Sequence, residues 1–237
     1  MTQTFQPSAM AGYSLPVYAY RKPPELGKRE VASYPVIVVG AGLAGLTAAL
    51  ELGSRGIRCV ILDEDDTVGA SGLSSRGICY AKRSLEIFDR FGVAARIRAK
   101  GVTWNEGEVY RGEQRMYRFN LQPEQDQKFP AFVNLQQFYV EQFLVERVQE
   151  IDCVELRWRN RLVGASAEED FVSVRIQTPD GAYSLKAQYL IAADGGHSTL
   201  RELLGAQDEE RSFYEDRWCI ADVRMDTKEE AIRKAYL

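Results

Sequence analysis

Gly40, Gly42 and Gly45 stand in a Gly-x-Gly-x-x-Gly spacing, and Asp63 follows eighteen positions beyond the last of them. These residue types at these intervals suit one task, holding a dinucleotide. A glycine at Gly40 permits a tight turn, one at Gly42 lets the backbone approach a pyrophosphate, and one at Gly45 lets a helix pack close to a sheet. An acid about twenty residues further on hydrogen-bonds a ribose hydroxyl pair and repels a ribose 2′-phosphate, which favours FAD or NAD over NADP at this site. Asp63 is preferred to Glu64 because it directly ends the apolar run.

The elements that must position these residues are legible around them. Val36 to Val39 read as a buried strand, and Leu43, Leu46 and Leu50 form a helical stripe with Gly56 as its stop. The run from Arg58 to Leu62 is a second strand leading into Asp63. The unpaired amides and positive dipole end of the intervening helix face the phosphates, so backbone rather than lysines holds the anion.

Further candidates lie downstream. Arg76, in the glycine-containing loop from Glu64 to Gly77, is placed either to pair with the pyrophosphate or to remain a solvated loop arginine. A helix follows from about Ala81 to Phe91, closed by Gly92. Two strands, Glu108 to Tyr110 and Arg115 to Leu121, form a hairpin whose Tyr117, Phe119 and Leu121 share a face suited either to a planar substrate or to core packing. Gln137 opens a helix reaching about Glu150, and its spacing from Asn134 also fits a capping box. A β-meander is expected from Val154–Trp158, Leu162–Ala167, Phe171–Thr178 and Tyr183–Ala187. A further strand, Tyr189–Ala193, ends in Asp194-Gly195-Gly196-His197-Ser198. Asp194 there is either ligand-facing or part of an Asx turn capping the next helix. His197, the only histidine, has no identifiable partner and is given no catalytic role.

Composition bounds the rest. The chain has 237 residues, 45% hydrophobic and 27% charged, with a net charge of −4, which is globular and gives no electrostatic case for nucleic acid or an anionic membrane. Cys59, Cys79, Cys153 and Cys219 are too scattered for a zinc site or disulfide framework and read as reduced, mostly buried thiols. No signal-peptide pattern opens the chain, so the cytoplasm is the default location. Residues 1–34, with Pro7, Pro16, Pro23 and Pro24, read as an extended leader, a loosely docked arm.

Together, Gly40-x-Gly42-x-x-Gly45, Asp63, Ser75-Arg76, the Gln137 helix and Asp194-Gly195-x-x-Ser198-x-x-Arg201 resemble the FAD-dependent aromatic hydroxylases, the single-component flavoprotein monooxygenases, over about Pro35 to Val223. SRGICYAKRSLEIFDR, NLQQFYVEQFLVER and YLIAADGGHSTLRELLG look most like the 3-(3-hydroxyphenyl)propionate hydroxylase branch. The resemblance implies a glutathione-reductase-like Rossmann α/β FAD-binding domain with a β-meander insertion and an incomplete substrate domain. The FAD domain would comprise residues 35–101 and 131–205, the partial substrate domain 102–130 and 206–237. It implies that Gly40, Gly42 and Gly45 take the FAD pyrophosphate, that Asp63 takes the adenosine ribose, and that Arg76 and Gln137 contact the flavin nucleotide. Asp194 would belong to a segment associated with FAD and NAD(P)H, supported by Arg201. The implied activity is NAD(P)H-dependent hydroxylation of a phenolic or aromatic acid by way of a flavin hydroperoxide, with no metal and no acid–base triad. A departure accompanies it: the family continues to a second glycine–aspartate motif, whereas here DTKEEAIRKAYL turns polar and helix-like and ends at Leu237. The expectation is therefore an incomplete enzyme, a non-catalytic FAD-binding fragment, or half of a split enzyme completed by a partner chain. A simple NAD-dependent dehydrogenase fits less well, because it has no need of the meander.

Overall fold

The computed structural model describes residues 15–69, 77–124, 126–205, 226 and 232–237. The chain begins with β1 (Ala32–Val39), α1 (Leu43–Ser54) and β2 (Cys59–Leu62), the expected strand, glycine turn, helix and strand. Next come β3 (Cys79–Ala81), α2 (Lys82–Arg90), α3 (Ala94–Lys100), β4 (Val102–Trp104), β5 (Glu106–Arg111), β6 (Gln114–Asn120) and β7 (Phe132–Asn134). The remainder is α4 (Gln137–Val148), β8 (Val154–Arg157), β9 (Arg161–Ala167), β10 (Val172–Thr178), β11 (Gly181–Ala192), α5 (Thr199–Leu203) and β12 (Arg233–Tyr236).

The main sheet has the order β8-β2-β1-β11-β10-β9. Its β8, β2, β1 and β11 are parallel, and β9 and β10 add to β11 as an antiparallel extension. Strand alternation feeds two cores. Val36 and Val38 of β1, with Cys59 and Ile61 of β2, face a core shared with Leu46 and Leu50 of α1 and Leu144 and Val145 of α4. Ile37 and Val39, with Val60 and Leu62, face a second core with Ile176, Leu185 and Leu200. Covered on both faces, these central strands need the continuous apolar runs that they have.

Several sequence expectations change here. The meander is β9-β10-β11, and β8 belongs instead to the parallel edge beside β2. The two expected strands Tyr183–Ala187 and Tyr189–Ala193 are one continuous β11, because its register with β1 runs unbroken from Ala32↔Leu185 to Val39↔Ala192. Asn134 does not cap α4. It lies in β7, where its Oδ1 accepts a 2.8 Å hydrogen bond from Trp104 Nε1, and the cap position is Gln136, with no side-chain bond. The polar end of the chain is not helical over its last turn. Arg233–Tyr236 pair in parallel with β5, completing the sheet β12-β5-β6. Tyr117 in that sheet and Leu121 just beyond β6 are exposed, while Phe119 between them is half-buried over Gly107.

The described part of the leader is docked rather than loose. Val17 bridges to Thr67, and Tyr18 stacks on Trp158 with ring centroids 4.6 Å apart. Glu25 is buried in a two-armed ion pair with Arg157, at 3.0 and 3.1 Å. The thiols are less uniform than expected. Cys59 is buried and its thiol is pushed up to about 11 by that burial, Cys153 is half-buried and Cys79 exposed; Cys219 lies outside the described residues. Among the described residues no helix is long and apolar enough to cross a membrane.

Candidate functional site

The three glycines of the β1–α1 turn do three different jobs. Gly40 has a φ of 100°, and a Cβ there would sit 2.3 Å from the Ala193 carbonyl oxygen, so the turn needs both the left-handed backbone and the missing side chain. A Cβ on Gly45 would lie 1.9 Å from the Gly40 carbonyl oxygen, which ties the first turn of α1 against the end of β1. Gly42 is different. Its nearest neighbour would be Glu141 Oε1 at 3.8 Å, an ordinary contact, so nothing within the protein forbids a side chain. The space it leaves lies over the amino end of α1, whose first turn carries no acidic residue.

Asp63 leaves the end of β2 and turns back onto the glycine loop. Its Oδ2 accepts the Ala41 N–H at 2.5 Å and its Oδ1 accepts the Asp65 N–H at 2.9 Å. Burial pushes its carboxyl up to about 6, these two amides holding it back and Asp65 and Glu64 adding to the rise.

Gly40, Gly42, Asp63, Gln137 and Asp194 line one cleft of about 320 Å³ at the carboxyl ends of β1, β2 and β11. This is the crevice that open α/β sheets offer to ligands. Gly45 stands behind it in the helix–strand packing, and Arg76 lies outside the described residues. Asp194 lines the cleft and also serves the amino end of the next helix, by bonds four and six residues on rather than by an Asx turn. Its carboxylate accepts Ser198 Oγ at 2.7 Å and the Leu200 N–H at 3.0 Å, while Ser198 Oγ caps α5 by accepting the Arg201 N–H. Asp194 thereby fixes the Gly195-Gly196 corner as a wall of the cleft, and the Arg201 guanidinium braces that corner through the Gly195 and Gly196 carbonyls.

Sequence reasoning missed Glu141. It lines the cleft, is only 3% exposed, and accepts Gln137 Nε2 and the Gly69 N–H, each at 2.7 Å. Its position four residues after Gln137 was the available signal, because i and i+4 share a helix face. Asn160 was also missed. Its backbone N–H donates to the Asp63 carbonyl, and its Oδ1 accepts from Tyr183, which joins the cleft to the buried Arg157–Glu25 pair.

A glycine turn, a helix amino end and an acid at the end of β2, all at a sheet's carboxyl edge, define a dinucleotide-binding α/β protein. Residues 33–234 match the family described as "FAD binding domain", and the chain belongs to that family. It is 31% identical over 199 residues to a flavin-dependent monooxygenase of Mycobacteroides abscessus, covering 81% of this chain and 41% of that protein. It is 30% identical over 191 residues to a 3-(3-hydroxy-phenyl)propionate/3-hydroxycinnamic acid hydroxylase of Mycolicibacterium smegmatis, covering 81% and 33%. The crystal structure of p-nitrophenol 4-monooxygenase PnpA from Pseudomonas putida superposes with a TM-score of 0.67 at 29% identity, over 74% of this chain and 44% of that one. The flavin-dependent monooxygenase PieE, solved with FAD and substrate, gives 0.64 at 28% identity, over 73% and 32%. The chain thus spans between about a third and somewhat over two fifths of the length of these relatives.

FAD fits the residues present. Gly42, with no Cβ, lines the cleft at the amino end of α1, the Asp63 carboxylate borders the same space, and the Glu141 carboxylate lies beside it on the Leu43 N–H. No lysine or arginine other than Arg161 lines the cleft among the described residues, which agrees with an anion held by backbone.

Proposed function

We propose that this chain is the FAD-binding portion of a flavoprotein monooxygenase that hydroxylates a phenolic or aromatic acid. The observation that carries the reading is the Gly42 cradle at the amino end of α1, open and bordered by Asp63. In this reading the backbone at Gly40 and Gly42 receives the pyrophosphate, Gly45 sets the helix that receives it, and Asp63 takes the adenosine ribose. Gln137 and Arg76 contact the flavin nucleotide, and Asp194 holds the corner beside it. The bound flavin supplies electron transfer from NAD(P)H to oxygen, and the protein's part is to orient the ring system and exclude water. Residues 35–101 and 131–205 form the FAD domain, and 102–130 with 206–237 form part of a substrate domain. A soluble nicotinamide reductant suits a cytoplasmic setting.

One observation favours a second reading, in which activity requires a further polypeptide segment or a partner chain. The β12-β5-β6 sheet exposes the large apolar side chains of Met116, Tyr117 and Tyr236, and Leu121 just beyond β6 is exposed as well, apolar surface that a further segment or a partner chain would cover.

The test is the visible spectrum of the purified chain after incubation with FAD and desalting. Flavin carried with the protein, in less than equimolar amount because binding by this portion is weak, is the expected result. Folded protein that emerges colourless would overturn the flavin-binding reading.

A further inference from the structure

Glu141 holds a position where an anion is expected to bind. Its carboxylate reaches from α4 to the start of α1, where the Leu43 N–H bonds it, while Gly69 and Gln137 donate to its two oxygens. Its Oε1 lies 3.8 Å from the point that a Cβ on Gly42 would occupy, the point of closest backbone approach in the cleft. No basic side chain is paired with it among the described residues. Tyr80 of β3 is 6% exposed, its hydroxyl feels the Glu141 charge, and that hydroxyl has no hydrogen-bond partner among the described residues. Asp63, Glu64, Asp65, Asp194, His197 and the one lining cation, Arg161, line the same cleft among the described residues, and Arg76 falls outside them.

A carboxylate on these amides and a pyrophosphate at the same helix end are two anions competing for one set of donors. Like charges brought together in a desolvated site do not both stay ionised. The pyrophosphate stays charged far below neutral pH, so the proton goes to the carboxyl. Burial already pushes that carboxyl above the usual carboxylate range, with Gln137 and the amides of Gly69 and Leu43 opposing the rise.

We propose that Glu141 is a binding residue of the dinucleotide site and that FAD binds together with one proton, taken from solvent onto the Glu141 carboxylate. The neutral acid then presents a hydroxyl donor to the site in place of a repelling charge. The proposal rests on the flavin-binding reading above. Below the carboxyl's pKa in the free protein, affinity does not depend on pH. Above it, each unit of pH weakens binding by up to about tenfold, until the pKa of the complex is passed.

The experiment measures the FAD dissociation constant by quenching of flavin fluorescence from about pH 5.5 to 8.5. It uses the wild-type chain, Glu141→Gln and Asp63→Asn. Calorimetry in two buffers of different ionisation enthalpy counts the protons taken up and needs no variant. The expected result is a dissociation constant that rises with pH, with proton uptake, in wild type, loss of that rise in Glu141→Gln, where Asp63 alone still titrates near 6, and a retained rise in Asp63→Asn. A flat wild-type profile, the same slope in Glu141→Gln, or binding without proton uptake would overturn the proposal. A slope lost only in Asp63→Asn would overturn it too, by moving the proton to Asp63. Folded wild type that takes up no flavin at about pH 5.5 overturns the flavin-binding reading, and this proposal with it.

Discussion

Asp63 and Gly42 show how single residues divide between stability and binding. The native carboxyl of Asp63 sits near 6 against its ordinary 3.8, so the folded protein holds this proton more tightly than the unfolded chain does. That contribution to stability is complete below about pH 4 and is lost as pH rises through about 6, amounting to at most about 3 kcal/mol. Asp63→Asn lacks it, so the flavin-free variant should gain on wild type across that interval in urea unfolding at a series of pH values. An unchanged difference would mean that the acid is not perturbed. Gly42→Ala meets no atom closer than 3.8 Å, so its stability should stay within about 0.5 kcal/mol of wild type. The added methyl nevertheless fills the approach to the helix end, and FAD affinity should fall by about tenfold or more, roughly 1.4 kcal/mol. Gly45→Ala meets backbone at 1.9 Å, and should lower the melting temperature as well as the affinity.

At the scale of elements, α1 and α4 meet at the site, and their amino ends are set by different means. The start of α1 is set by the glycine turn, with Gly42 as its cap. The start of α4 follows from β7, pinned between β3 and β4, and receives no side-chain cap. The Asn134 side chain serves β4 instead, satisfying the indole N–H of Trp104 while that ring stacks on Phe132 with centroids 4.7 Å apart. Asn134→Ala should therefore cost about 1–3 kcal/mol by stranding that mostly buried N–H. Far-UV helicity of the folded protein should stay the same. A loss of helix signal would restore the capping role that the spacing suggested.

Across the whole molecule, a buried polar chain joins the leader to the nucleotide cleft. Glu25 pairs with Arg157, Arg157 donates to the hydroxyls of Tyr34 and Tyr183, and Tyr183 donates to Asn160 beside Asp63. Burial would raise the Glu25 carboxyl, but the hydrogen bonds and charge of Arg157 outweigh it and hold the group below its usual range. Burial pushes both tyrosines up to about 12, so they remain neutral donors. Removing one partner leaves a guanidinium buried beside an empty position. Glu25→Ala should destabilise by about 3 kcal/mol, at the low end for a broken buried pair because the half-exposed Glu155 still reaches Arg157. Chemical denaturation checks this, and a change under about 1 kcal/mol would show that the leader is dispensable.

The sequence by itself determined the local frame of the site. Gly40, Gly42, Gly45 and Asp63 sit within one short βαβ unit, where spacing along the chain fixes position in space, and the 3.6-residue period marked α1 while continuous apolar runs marked the central strands. Only tertiary structure decided what depends on residues far apart. β8 moved to the parallel edge because its partner is β2, nearly a hundred residues earlier, and the two expected strands became one because β1 holds a single register with it from Leu185 to Ala192. Arg233–Tyr236 became strand rather than helix because the edge of β5 supplied hydrogen bonds that the segment's own propensity does not foresee. Glu141 and Glu25 read as ordinary charged residues in sequence. Burial gave each its meaning, and burial is set by the packing of the whole chain.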